Sequence, residues 1–254
     1  MIKINNIHKS FGSKNVLNGV NLNIENNKIT CIIGKSGCGK SVLLKLIVRL
    51  IEADKGDISI DDNIISNLSY NEIFNIRRTF GYVFQSAALF DSYNIYENVI
   101  LSLYEHGEKD KVALENEAIR VLSAVGLLPN RESSNFAKEW EILKYKKPSD
   151  LSGGMRKRVG VARALVGSPK YIFYDEPTTG LDPVTSEQID DLIKDLSDKL
   201  GITSIVITHD MFSVYRIADH VAMLNNGKFE FEGTPEDLRS TDNKVVKEFI
   251  ERFE

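Results

Sequence analysis

The 254-residue sequence has only two cysteines, and no apolar run approaches the roughly 20 residues that a membrane-crossing helix needs. Cys31 and Cys38 are too few for a disulfide scaffold and show no metal-ligand spacing. Positive charge is not in excess either, because the net charge is −4, which argues against a nucleic-acid partner. The N-terminus lacks the pattern of a signal peptide, so we expect a protein of the reducing cytoplasm.

Short apolar runs alternate with helical patterns, which predicts an α/β fold with a mostly parallel sheet. Strands are predicted at residues 1–8 and at VNLNI, ITCII, YIFY and SIVIT, and a helix at about residues 40–51. GDISIDDNII predicts a strand pair, and VAMLNNGKFEFEG predicts a hairpin with an Asn-Gly turn. Helical patterns dominate from about residue 94 to residue 169. The sequence therefore indicates one α/β core with a helical insertion.

The segment GKSGCGKS at residues 34–41 matches the phosphate-loop pattern G-x-x-x-x-G-K-[ST] between a predicted strand and a predicted helix. Glycines there let backbone N–H groups approach phosphates closely. Lys40 is predicted to reach the β- and γ-phosphates of a nucleotide, and the Ser41 hydroxyl to bind Mg²⁺. The remaining predicted phosphate-loop residues are Gly34, Lys35, Ser36, Gly37, Cys38 and Gly39.

The apolar run YIFY ends in two carboxylates, Asp175 and Glu176. Alone, an Asp-Glu pair after a strand is usually a solvated turn, but a phosphate loop upstream favours a functional pair. Acids at this edge of a parallel sheet lie where α/β proteins bind ligands. We expect Asp175 to hold Mg²⁺ through its waters, and Glu176 to orient and deprotonate the attacking water.

A second anion site is predicted at LSGGM, where Ser152 is a natural N-cap. Gly153 and Gly154 would expose N–H groups at the positive end of the following helix. The alternative is a plain capped helix after a glycine turn.

LSGGM followed by RKRVGVARAL resembles the signature helix of ABC transporter ATPases, and the phosphate loop and YIFYDEP fit that family in order. The resemblance covers essentially the whole chain and implies a single ABC ATPase domain over residues 1–254. It implies a P-loop NTPase fold with an N-terminal antiparallel β subdomain. The RecA-like core would span residues 1–93 and 168–254, and the α-helical subdomain residues 94–167.

The resemblance also assigns expected roles to single residues. Phe11 matches the aromatic residue that stacks on adenine, and Gln85 in GYVFQS matches the glutamine that senses Mg²⁺ and nucleotide. Asp182 in TTGLDP matches the D-loop aspartate, and His209 in VITHD matches the histidine that contacts the γ-phosphate. Val42 stands where many relatives have Thr or Ser at the α-phosphate, so one hydrogen bond is expected to be missing.

Expected partners follow from the same resemblance. Two copies would meet head to tail when ATP binds, with each nucleotide between one phosphate loop and Ser152 of the other copy. An integral membrane permease would follow that motion, and residues 87–104, which follow Gln85, are its predicted docking segment.

Met155 at the end of the signature and the string FQSAALFDSYNIYENV resemble ATPases of Mla/Mce-type systems. Those systems move phospholipids or other hydrophobic molecules between the inner and outer membranes. The resemblance implies an Mce-type substrate-binding chain and a position at the cytoplasmic face of the inner membrane. The alternatives are the ATPase of a polar amino-acid importer and a soluble ABC ATPase of iron–sulfur cluster assembly. Around Trp140 we expect a surface loop with one packing aromatic side chain, with a partner contact as the alternative.

Overall fold

The computed structural model describes residues 1–253, which form two β-sheets and the helices around them. The strands are β1 (Ile2–Phe11), β2 (Lys14–Ile24), β3 (Ile29–Ile33), β4 (Lys55–Ile60), β5 (Asn63–Ile64), β6 (Phe80–Val83), β7 (Tyr171–Asp175), β8 (Thr203–Ile207), β9 (His220–Asn225) and β10 (Lys228–Gly233). The helices are α1 (Lys40–Ile47), α2 (Tyr70–Arg77), α3 (Ile95–Glu105), α4 (Lys111–Ala124), α5 (Phe136–Tyr145), α6 (Gly153–Leu165), α7 (Pro183–Leu200), α8 (Met211–Ile217), α9 (Pro235–Ser240) and α10 (Lys244–Phe253).

The larger sheet has the strand order β10-β9-β3-β8-β7-β6, and its strands are parallel except for β10. The smaller sheet is antiparallel and has the order β2-β1-β4-β5. This architecture confirms the predicted α/β class, with a mostly parallel core sheet and an N-terminal antiparallel sheet. The predicted hairpin is β9–β10, and its turn residues Asn226 and Gly227 both have positive φ.

Strand β7 explains why its sequence is apolar throughout. Tyr171 and Phe173 pack in the core on the side of α1 and the antiparallel sheet, whereas Ile172 and Tyr174 pack in the core on the opposite face. All four side chains are fully buried, which stabilises the fold by about 2–3 kcal/mol for each large side chain. Because both faces of the sheet are covered here, successive side chains of β7 are buried on either side, and the strand is therefore apolar.

The parallel register brings the predicted site residues together. The carboxyl ends of β3, β6, β7 and β8 meet at one edge of the sheet, because these strands are neighbours that run in the same direction. The segments that leave them at this edge carry the phosphate loop, Gln85, the Asp175–Glu176 pair and His209.

Two local predictions are wrong. Helix α1 ends at Ile47 rather than near residue 51, because Arg49 adopts a φ of 51° and the Arg77 guanidinium satisfies the carbonyls of Val48 and Arg49. The segment around Trp140 is helix α5 rather than a loop. Trp140 is buried on that helix, and its Nε1 donates to Glu115 Oε1 at 2.7 Å.

Helices α3, α4, α5 and α6 pack together, and α6 also lies against β6. The division of the chain at residues 94–167 stays a prediction. Across the part of the chain that the structure describes, no helix is both long and apolar enough to cross a membrane.

Candidate nucleotide-binding site

A cleft of about 640 Å³ opens at the carboxyl edge of the parallel sheet, where it collects residues from widely separated segments. Its lining residues are Phe11, Lys14, Val16, Gly34, Ser36, Gly37, Gly39, Lys40, Ser41, Val42, Gln85, Asp175, Glu176, Ile207 and His209. The Phe11 ring is half exposed there, so one face can receive a flat ligand group.

Gly34 shapes the start of the phosphate loop, where a side chain would not fit. Gly34 has a φ of 147°, and a Cβ atom on it would lie 2.2 Å from the carbonyl oxygen of Leu224 in β9. Inside the loop, the Lys40 ammonium donates to the carbonyls of Gly34 at 2.6 Å and Lys35 at 3.1 Å. A buried cation held by neutral carbonyls, at the start of α1, fits a phosphate group.

Oxygen donors suitable for Mg²⁺ surround the same cleft. They are the Ser41 hydroxyl, the Gln85 side-chain amide and the Asp175 carboxylate. Burial raises the pKa of Asp175, although its Oδ2 accepts a hydrogen bond from the Tyr82 hydroxyl at 3.1 Å. Hard oxygen ligands, few in number and completed by phosphate oxygens, are typical of Mg²⁺ in nucleotide sites. Among the residues that the structure describes, no cluster of three His, Cys, Asp or Glu side chains offers another kind of metal site.

Glu176 and His209 contact each other directly. His209 Nδ1 lies 2.9 Å from Glu176 Oε1 and 2.8 Å from Oε2, and the Thr179 hydroxyl donates to Oε2 at 3.1 Å. The Glu176 backbone has a φ of 51°, in the left-handed region that non-glycine residues seldom adopt. The backbone at this strand end therefore sets the direction of the carboxylate, which His209 Nδ1 and the Thr179 hydroxyl then hold.

Ser152, Gly153, Gly154 and Asp182 do not line the cleft. Ser152 is the N-cap of α6, as predicted, and its exposed hydroxyl accepts from the N–H of Met155 at 3.2 Å. Asp182 caps α7 in the same way, and its hydrogen bonds with Thr185 lower its pKa. The structure thus holds one chain's signature residues apart from its own phosphate loop.

Sequence reasoning missed several residues at the site. Lys14 and Val16 line the cleft from β2, and the Tyr82 hydroxyl supports Asp175. Lys157 lies in the charged string RKR, where no sequence pattern distinguishes it from its neighbours. Its side chain is nevertheless buried between the segments that carry Gln85 and Glu176.

The glycine loop, the paired carboxylates at a strand end and the oxygen donors define a P-loop nucleotide-binding protein. The chain belongs to the ABC transporter family, whose family model matches residues 17–179. It is an ATPase domain of that family. It is similar to the probable ribonucleotide transport ATP-binding protein mkl of Mycobacterium tuberculosis, at 36% identity over 98% of this chain and 66% of the relative. The chain thus spans just under two thirds of that relative's length.

Two further similarities bear on function. The intermembrane phospholipid transport system ATP-binding protein MlaF of Haemophilus influenzae is 35% identical over 98% of this chain and 90% of its own length. The methionine import ATP-binding protein MetN of Carboxydothermus hydrogenoformans is 37% identical over 98% of this chain and 71% of its own length. Among solved structures, the dimeric post-hydrolysis state of the ATP-binding cassette MJ0796 bound to ADP and Pi matches with a TM-score of 0.77 and 33% identity. That match covers 92% of this chain and 99% of the other.

Proposed function

We propose that this chain is the ATP-hydrolysing subunit of a transporter that moves phospholipid or another hydrophobic molecule between membranes through a partner permease. The observation that carries the proposal is the match to the phospholipid transport ATPase, which extends over 98% of this chain and 90% of the relative. Met155 and the FQSAALFDS string, which resemble the Mla/Mce branch, support the same substrate class.

The chemistry of the cleft supports hydrolysis of ATP. Glu176 takes a proton from water as the water oxygen bonds to the γ-phosphorus, and the bond from that phosphorus to the β,γ-bridging oxygen breaks. Lys40 binds the phosphate oxygens, and His209 turns from Glu176 to contact the γ-phosphate. Ser41, Gln85 and Asp175 would hold Mg²⁺, which would supply charge neutralisation at the phosphates.

The exposed signature of α6 completes the site of a second copy in this proposal. Ser152 is exposed at the N-terminus of α6, and Gly153 and Gly154 are partly exposed there. Such a helix end attracts phosphate, but this one lies outside the chain's own cleft. Two copies arranged head to tail would place each signature opposite the other copy's ATP. Asp182 lies in the segment between β7 and α7, beside the signature, since Leu181 packs against Gly153.

We place the permease contact at residues 87–104, which follow Gln85 directly. Phe90 and Tyr93 are exposed there, with their ring centroids 5.6 Å apart. Next to this segment, a groove of about 460 Å³ runs between α2 and α3, and Phe74 and His106 line it. Exposed aromatic side chains beside a groove are typical of protein contact surfaces. The chain would then sit peripherally on the cytoplasmic face of the inner membrane, with an Mce-type chain in the assembly.

The test is to isolate the Glu176→Gln protein with ATP from native membranes in mild detergent and to identify co-purifying chains and lipids by mass spectrometry. A multi-span permease with an Mce-type chain and bound phospholipid is expected. A permease with a soluble solute-binding protein would instead support a polar amino-acid importer, which the methionine import relative represents. No membrane chain at all would favour the soluble ATPase of iron–sulfur cluster assembly.

A further inference from the structure

Lys157 is a buried cation that lies outside the nucleotide cleft. It sits on α6, and its side chain is only 7% exposed. Burial lowers the pKa of its ammonium group, and the Glu176 carboxylate partly offsets this effect. Burying an ammonium group costs free energy of folding unless its hydrogen bonds are made. The hydrogen-bond partners of Lys157 therefore indicate why it is buried here.

Both hydrogen-bond acceptors of Lys157 are backbone carbonyls of residues that we propose to act in the nucleotide site. Lys157 Nζ donates to the backbone oxygen of Gln85 at 2.6 Å and reaches that of Glu176 at 3.4 Å. Gln85 supplies the proposed metal-sensing side-chain amide, and Glu176 supplies the proposed general base. They follow different strands, β6 and β7, and Lys157 joins their main chains from α6, the helix that Ser152 caps.

A second contact fastens the same helix to the segment after Gln85. The Arg163 guanidinium donates to the carbonyls of Ala87 and Ala88, both at 2.7 Å. These alanines have φ values of 61° and 46°, so the segment is held in a left-handed turn that alanine seldom adopts. Gly160 lies against this turn, because a Cβ atom on it would be 3.1 Å from that of Ala87. Arg163 therefore fixes one segment, whereas Lys157 bridges two.

We infer that Lys157 is a positioning residue, which transmits the position of the signature helix to the side chains of Gln85 and Glu176. The inference rests on the proposed roles of those two residues in ATP hydrolysis. When a second copy contacts the N-terminus of α6, movement of the helix shifts both carbonyls together. Occupation of the signature would thus align the base and the metal-sensing amide in the same chain.

The experiment compares Lys157→Met, which keeps the length and removes the charge, with Lys157→Arg, which restores donors. Lys194→Met, an exposed lysine of α7, is the control for helical Lys-to-Met exchange. We expect Lys157→Met to lower kcat by about tenfold to a hundredfold, as small misplacements of catalytic groups do. The Kd for ATP should stay within about twofold, since no ATP contact is lost. Lys157→Arg should recover most of the rate.

Amide hydrogen exchange in the nucleotide-free protein gives a readout that does not depend on activity. Residues 84–90 should exchange faster in Lys157→Met than in the wild type and in Lys194→Met. An unchanged kcat, or unchanged exchange at residues 84–90, would overturn the inference. If Lys157→Met does not fold, Lys157→Gln, which keeps a neutral donor, takes its place with the same criteria. Glu176→Gln tests the proposed chemistry separately: if that variant hydrolyses ATP normally, the proposed base is wrong, whatever Lys157 does.

Discussion

His209 Nδ1 lies 2.9 Å from Glu176 Oε1, within hydrogen-bond distance. His209 is proposed to act on the γ-phosphate and Glu176 on the attacking water, so the two proposed functional side chains contact each other. The Thr179 hydroxyl donates to the same carboxylate, so two protein side chains contact its oxygens. In the proposed mechanism, the contact would keep the Glu176 carboxylate occupied until a ligand draws the histidine away.

The Glu176→Gln variant should keep ATP binding and lose turnover by about a hundredfold or more, because the amide cannot accept the proton. It should also accumulate as an ATP-bound dimer, since closure occurs and hydrolysis does not reopen it. Phosphate release and size-exclusion chromatography with ATP would measure both effects. Near-normal turnover would remove Glu176 as the base.

The Ser152→Arg variant should abolish ATP hydrolysis while each copy still binds nucleotide. Arginine at the exposed N-cap of α6 places a bulky side chain where the second copy's nucleotide would lie. ATPase rate and fluorescent-nucleotide binding test the two halves of the prediction. Ser240→Arg, at the exposed end of α9, is the control. If Ser152→Arg retains its ATPase activity, the head-to-tail site is wrong.

The Phe90→Asp variant, or the same change at Leu89, should uncouple transport from ATP binding. Phe90 is half exposed in the proposed permease segment, where a charge would oppose an apolar contact. We expect the variant to bind ATP normally and to lose co-purification with membrane chains. Tyr145→Asp, on an exposed aromatic of α5, is the control. Normal assembly of Phe90→Asp would contradict the proposed docking segment.

The Asn98→Leu variant should be less stable by about 2–3 kcal/mol, because several backbone groups lose their partner. The Asn98 side chain accepts from the N–H of Phe90 and donates to the carbonyls of Phe90, Tyr93 and Asn94. Urea unfolding measures the loss. The control is Asn116→Leu, an exposed position on α4. An unfolding midpoint equal to that of the wild type would show that the backbone at Phe90 does not depend on the Asn98 side chain for its stability.

The Asp190→Asn variant should be more stable than the wild type at pH 8 and lose that advantage as the pH falls. Burial raises the pKa of Asp190 to about 6, and the charge of Asp210 adds to the effect, although Ser213 donates to the carboxylate. A folded-state pKa above the unfolded value means that ionisation costs stability as the pH rises through about 6. Below the unfolded value of 3.8 the cost is absent.

Melting temperatures of Asp190→Asn and wild type should therefore converge between about pH 7 and pH 4, over the range in which the buried group takes up its proton. The control is Asp198→Asn, an exposed change on the same helix, which should show no such convergence. A difference between Asp190→Asn and wild type that does not change with pH would contradict the assignment.

Strands β3, β7 and β8 and the phosphate loop of the cleft could be predicted because they depend on local patterns. The apolar runs of β3 and β7 and the glycines of the phosphate loop are visible in a few consecutive residues. Helix α5 was missed because its apolar positions, Phe136, Trp140 and Leu143, are embedded in a polar stretch. Lys157 could not be found for a different reason: its partners lie 72 and 19 residues away along the chain, and only the packing of α6 brings them near.

Two glycines of the phosphate loop would be intolerant of substitution for different reasons. A methyl group on Gly34 meets the main chain of β9 at 2.2 Å, so the damage appears in the yield of folded protein even without nucleotide. A methyl group on Gly37 meets nothing within 4 Å, and its positive φ adds only a local strain of about 1–2 kcal/mol. A mutational scan scored by growth alone would merge the two. Scored also by protein abundance, it would separate a position needed for folding from a proposed contact with phosphate within one eight-residue loop.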